Sequence, residues 1–180
     1  AESGARLDTV QPLIEKAMTK TNDKHVRNVV IALGINDISE SKSSGTANAR
    51  YVSAVNKIRL SFPDAKLHIS AVVPRRETNQ SIKQSNEHIN EVNNYLRAYA
   101  QEENINFIGN QNTFSRSINE NYHDKKDTSG IHLNRTGQDK LLEIITAGIA
   151  RHDQRTKRHR SSTATPQSAE KDPKSRKQES

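Results

Sequence analysis

The chain has 180 residues, 28 Lys/Arg against 21 Asp/Glu, a hydrophobic content of 31% and a mean hydropathy of -0.93. That length suits one domain with some extra chain, and the apolar content is too low for a core spread over every residue. There is no cysteine, which excludes disulfides, thiolate metal sites and a cysteine nucleophile, and no run approaches the roughly 20 apolar residues of a membrane-spanning helix.

Leu7, Val10, Ile14 and then Ala17 or Met18 recur at helical spacing, and Pro12 suits a first turn, so a helix is expected from about Thr9 to Lys20. A buried strand follows, roughly Asn28 to Leu33, and it ends abruptly in Gly34, Asn36 and Asp37. Ser39 to Asn48 is polar and contains Gly45, which predicts a loop. Tyr51, Val55, Ile58 and Phe62 define a second helix, stopped before Pro63. Leu67 to Val73 forms the next strand, ended by Pro74, and Arg75 to Ser81 is a polar loop. Ile82, Ile89, Val92, Leu96 and Tyr99 mark a third, longer amphipathic helix. Ile105 to Ile108 makes a short strand, and Gln111 to Gly130 is polar and irregular, a length that usually signals function or disorder. Leu141, Leu142, Ile144, Ile145 and Ile149 give a last helix, with Asn134 placed to cap its start.

Strands alternating with helices predict an α/β fold with a parallel sheet covered on both faces, occupying residues 1–150. Residues 151–180 contain no Ile, Leu, Val, Phe or Tyr, and hold 9 Lys/Arg against 4 Asp/Glu. They are expected to be a disordered basic tail, because they cannot bury enough apolar area to offset ordering. Arg155, Lys157, Arg158 and Arg160 in that tail are the expected contacts for any nucleic acid or other acidic partner, although a solvated terminus explains them as well. The start at Ala1, without Met or a signal-peptide core, reads as a fragment or a processed chain. Together with the absence of cysteine it is compatible with an intracellular location. No His, Asp or Glu spacing argues for a metal, and no cofactor is expected.

In open α/β sheets, ligands bind outside the carboxyl ends of the strands. Two groups of residues could meet there: Gly34-Ile35-Asn36-Asp37, and Ser129-Gly130-Ile131-His132-Leu133-Asn134 before the last helix. The Asn36 amide can stabilise negative charge on an oxygen, and His132 can act as a general base. Each has a plainer explanation. Asn and Asp end strands and begin turns, and a histidine can simply pack against or cap a helix.

In this order and at this separation, the two groups resemble the blocks of the SGNH hydrolase superfamily, also called GDSL-type esterases. Gly34, Asn36 and Asp37 are similar to its Gly-x-Asn-Asp block. His132, Leu133, Asn134 and Gly137 resemble the block that carries the catalytic His, and Ser3-Gly4-Ala5 resembles the block whose Gly supplies an oxyanion-hole N–H. The passage Ile69 to Arg75 is also similar to the strand-to-loop stretch between these blocks. The resemblance covers roughly Ser3 to Ala150. It implies a three-layer α/β/α, flavodoxin-like fold that is N-terminally incomplete here. It also implies hydrolysis of small acyl esters by a Ser/His pair, with His132 as base and the Gly4 N–H and Asn36 amide holding the oxyanion.

Two departures stand out. The family's Gly-Asp-Ser block, which holds the nucleophile on the first strand, is not in the chain, and Ser3 lies at the wrong position to replace it. The family's Asp three residues before the His is Ser129 here, which leaves Asp127 or Asp124 as replacements if the loop bulges. The implied activity is therefore an esterase that is inactive as the isolated chain. The alternative is a catalytically dead binding module, in which the tail touches nucleic acid, as the likeness to SGNH-like domains of animal retroelement proteins implies. Without the first strand, Val30 and Ile31 lose a hydrogen-bonded neighbour, and the chain alone is expected to be marginally stable or prone to aggregate.

Overall fold

The computed structural model describes residues 5–21, 25–41, 43–114 and 121–162, and their side chains as far as 158. Along the chain run α1 (Val10–Thr21), β1 (Asn28–Ile31), α2 (Ile35–Glu40), α3 (Ser44–Ser61), β2 (Lys66–Ser70), α4 (Gln80–Glu102), β3 (Asn106–Ile108) and α5 (Arg135–Ser162). The three strands are parallel, in the order β1-β2-β3, with Ile31 opposite Ile69 and Ile69 opposite Phe107.

Side chains alternate across a strand, so this register sorts the sheet into two faces. Val29, Ile31, Leu67, Ile69 and Phe107 join the main core with Val10 and Ile14 of α1, Tyr51 and Val55 of α3, and Ile89, Val92 and Leu96 of α4. His68, Ser70, Asn106 and Ile108 point the other way. There α5 crosses them, with Gly148 against Ile108 and His152 edge-on to His68 at 5.6 Å. The result is the expected α/β/α arrangement of layers, and the helical spacings read from the sequence fall on buried positions in α3 and α4 and at Leu7, Val10 and Ile14, whereas Ala17 and Met18, expected to continue the α1 stripe, are exposed.

Three expectations need correction. The polar stretch Ser39–Asn48 is not a loop: α2 starts directly after Gly34, and α3 begins at Ser44. Its anchor is one small buried residue, Ala47, and a single apolar contact leaves no periodic signal. The second strand stops at Ser70 rather than Val73. Beyond it, the Val72 N–H donates to Asn93 Oδ1 (2.8 Å), and Asn93 Nδ2 donates to the Val72 carbonyl (2.9 Å). A helix side chain thus replaces a neighbouring strand. The last helix does not end near Ile149 but continues to Ser162, into the stretch expected to be tail. Asp153 pairs with Lys66 at 2.5 Å and His152 packs on His68, so the sheet supplies contacts that composition could not forecast.

Candidate active site

Gly34 turns the chain from β1 into α2. Its φ of 114° is left-handed, and a Cβ here would lie 2.1 Å from the Tyr51 hydroxyl, which donates to the Leu33 carbonyl. Only glycine satisfies both conditions. The turn sets Asn36 and Asp37 in the first turn of α2, at the carboxyl end of β1. Asp37 is fully buried. Its two oxygens accept from the Leu7 N–H (3.0 Å) and from Arg50 Nη1 (3.1 Å), which offsets the cost of burying a carboxylate. Asp37 is therefore a strut between the N-terminal segment, α2 and α3. Asn36 Nδ2 donates to the Ala5 carbonyl at 3.0 Å, and the amide keeps a second N–H for another acceptor. Gly4, the neighbour of Ala5 and the other expected oxyanion donor, lies outside the described residues.

His132 sits two residues before the Asn134 cap of α5, where Asn134 Oδ1 accepts the Gly137 N–H at 2.9 Å. Leu133 bridges back to His123, and the Asp124 N–H donates to the His132 carbonyl, so residues 124–132 close on themselves. Inside that closure Asp127 faces His132: Asp127 Oδ2 lies 3.0 Å from His132 Nδ1 and accepts the His132 backbone N–H at 2.8 Å. The other oxygen, Oδ1, accepts from the Ser129 N–H (3.0 Å) and hydroxyl (2.6 Å). Ser129, standing where the family has its Asp, thus holds the carboxylate that reaches the histidine. Burial pushes the Asp127 carboxyl up, but these four donors from His132 and Ser129 outweigh it and hold the group well below the usual carboxylate range. Asp127 is ionised at neutral pH. With Nδ1 engaged, Nε2 is the ring nitrogen left to take a proton, and the His132 side chain is 64% exposed. The Asp124 carboxylate instead accepts the Lys126 N–H.

A cavity of about 530 Å³ is lined by Asn36 and by residues next to His132, though not by His132 or Asp127 themselves. Its wall includes Ala5 and Asn36 on one side and Ile131 and Leu133, the neighbours of His132, on another. It extends along β1, whose outer edge pairs with no other strand among the described residues, and under Val10 and Ile14 of α1 and Leu141 of α5. Among the described residues, no three His, Asp or Glu converge as a metal site requires. None of the described helices is long and apolar enough to cross a membrane.

Sequence reasoning missed the strut role of Asp37, the Tyr51 support beneath Gly34, and the Ser129 hold on Asp127. The first two join residues 13 to 30 positions apart, and no local pattern announces such a pair.

The model of the GDSL-like lipase/acylhydrolase family matches residues 1–140. No curated protein matches the sequence. Among solved structures, one from Bacteroides fragilis described as an acylhydrolase has a TM-score of 0.60 at 22% identity, covering 81% of this chain and 72% of its own. A GDSL-like lipase from Bacteroides thetaiotaomicron has a TM-score of 0.60 at 19% identity, with coverage of 81% and 73%. A carbohydrate acetylesterase from Sinorhizobium meliloti has a TM-score of 0.58 at 17% identity, with coverage of 83% and 71%.

Proposed function

Because the chain belongs to the GDSL-like lipase/acylhydrolase family, we propose that it supplies the base and the oxyanion donors of an ester hydrolase acting on small acyl esters. The observation that carries this reading is the 3.0 Å contact between His132 Nδ1 and an ionised Asp127. It provides the orienting carboxylate that a general-base histidine needs, at a position the family pattern does not use. His132 Nε2 takes the proton of an attacking serine. The free N–H of Asn36 and the N–H of Gly4 receive the oxyanion, where a fixed donor stabilises developing charge. The serine comes from outside residues 1–180, on a strand laid against the open edge of β1. The apolar cavity along that edge, between α1 and α5, supports this route.

The test is hydrolysis of a chromogenic short-chain ester by the polypeptide that includes such a strand. His132→Ala is expected to abolish turnover, and Asp127→Asn to lower kcat by about 10⁴-fold. Full activity in either variant removes that residue from the mechanism.

A second reading, a non-catalytic module that contacts nucleic acid, is favoured by one observation: Arg155, Lys157 and Arg158 are exposed near the end of α5. Arg160 belongs to the same helix, but its side chain lies outside those described. Salt-sensitive nucleic-acid affinity that falls on deletion of residues 151–180 supports it, and unchanged affinity dismisses these residues as the contact.

A further inference from the structure

Residues 124–132 form neither helix nor strand, yet they carry both Asp127 and His132. Their internal hydrogen bonds, Asp127 N–H to Asp124 (3.2 Å), Gly130 N–H to Asp127 (3.3 Å) and Asp124 N–H to His132 (2.9 Å), close the loop without attaching it to the sheet. The loop after β2 makes that attachment. Arg75 donates twice to the Ser129 carbonyl, from Nε (2.9 Å) and Nη2 (2.6 Å). Arg76 Nη2 donates to the carbonyls of Lys125 (3.2 Å) and Asp127 (2.9 Å), and the Arg76 N–H donates to Gly130 (2.9 Å). The approach is close enough to require glycine: Gly130 has a φ of 68°, and a Cβ on it would lie 2.6 Å from the Arg76 carbonyl oxygen.

Arg75 is itself held. The Arg75 N–H donates to Asn86 Oδ1 (2.8 Å), and Asn86 Nδ2 donates back to the Arg75 carbonyl (2.9 Å). Asn93, two turns further along α4, grips Val72 in the same way. Arg75 Nη1 reaches Ser85 Oγ at 3.3 Å. An unbroken set of directional bonds thus runs from α4 through Arg75 to the residues flanking Asp127.

We propose that Arg75 and Arg76 are positioning residues for the His132–Asp127 pair, an inference that rests on the esterase reading of that pair. They act on backbone carbonyls on either side of the carboxylate and fix where it meets the imidazole. The guanidinium fork matters at Arg75, because a lysine cannot place two fixed donors on one carbonyl.

The test compares the full polypeptide with its Arg75→Ala, Arg75→Lys, Arg76→Ala and His132→Ala variants, by ester hydrolysis and by backbone hydrogen exchange. In Arg75→Ala, kcat is expected to fall about 10²-fold with KM nearly unchanged, as for a catalytic group displaced by about 1 Å. Exchange over residues 124–132 quickens while exchange over β2 stays as it was. Arg75→Lys recovers only part of kcat, and added guanidinium restores turnover to Arg75→Ala. Unchanged kcat and exchange in both alanine variants, with His132→Ala inactive, overturns the clamp and leaves the esterase reading standing. Faster exchange over 124–132 combined with activity indifferent to His132→Ala overturns the esterase reading and leaves the clamp. If Arg75→Ala unfolds, exchange over β2 reveals it, and Arg75→Lys and Arg76→Ala then decide by the same two measurements.

Discussion

The two faces of the sheet are built from opposite chemistry. Val29, Ile31, Leu67, Ile69 and Phe107 meet α1, α3 and α4 through apolar packing, with the Arg97 guanidinium of α4 lying over the Phe107 ring at the edge. Across the pleat, His68 Nε2 lies 2.9 Å from Asn28 Oδ1, and Asn106 Nδ2 donates to His68 Nδ1 at 2.9 Å, so one imidazole links all three strands beneath α5. Apolar contact is non-directional and scales with area. A hydrogen-bonded ladder demands each partner in place, and each loss leaves a buried polar group unpaired. Being covered on both faces therefore does not make a parallel sheet apolar on both. The second face here trades hydrophobic area for directional bonds, and those bonds receive the end of α5.

This contrast can be broken from either side. Ile69→Ala, at the centre of the apolar face, is expected to cost about 2–5 kcal/mol in urea unfolding, because the surrounding helices cannot close the cavity. A cost under about 1 kcal/mol would mean that this face is not the main store of stability. His68→Leu on the opposite face is expected to cost about 1–3 kcal/mol, from stranding the Asn28 and Asn106 amides. A neutral result would show that the ladder is ornamental.

The same histidine predicts a pH dependence. Burial lowers the His68 pKa, the charges of His152 and Lys66 lower it further, and Asp153 opposes them. Asn106 Nδ2 can only donate, so Nδ1 accepts and has no place for a second proton. The unfolded imidazole takes up a proton near pH 6.5, whereas the folded one resists it to lower pH. Stability from this group is therefore full above about pH 6.5 and is lost as pH falls below it. Unfolding midpoints at pH 7 and pH 5.5 measure the slope, which His68→Leu should flatten. Asp127 acts further into acid. Its pKa is depressed in the fold, so its contribution is present above about pH 4 and drains away as pH falls toward the folded value. Asp127→Asn should flatten that limb, and an unaltered acid profile would mean that the Ser129 and His132 donors do little for the fold. The smallest effect is expected where α5 meets the start of β2. Asp153→Asn breaks an exposed pair with Lys66 and should cost about 1 kcal/mol or less, read from the same denaturation curves.

Much of the layer order was legible. Leu7, Val10 and Ile14, then Tyr51, Val55 and Ile58, then Ile89, Val92 and Leu96 each repeat at the helical period and are buried as that period requires. Asn134 caps α5 as its position suggested. Gly34 and Asn36 were visible as the tip of a strand, and His132 as the residue before the last helix. Other features were not legible. Ser39–Asn48 hides the end of α2 and the start of α3 because Ala47 alone among its described residues is buried. Residues 151–158 look like tail by composition, yet they continue α5 because His68 and Lys66 await them on the sheet. Between Asp127 and Asp124, spacing did not choose the partner of His132; the Ser129 and His132 donors to Asp127 did.

The sequence by itself determined the α/β order, the parallel sheet, the apolar faces of three helices and the short motifs at the strand ends, because period and turn chemistry act between residues a few positions apart. Only the tertiary structure decided which carboxylate meets His132, which face of the sheet is polar and what holds the 124–132 loop. The polar face and the hold on the loop depend on bonds between residues far apart in the chain, such as Arg75 with Ser129, and the Asp127–His132 contact is made inside the loop that those bonds anchor.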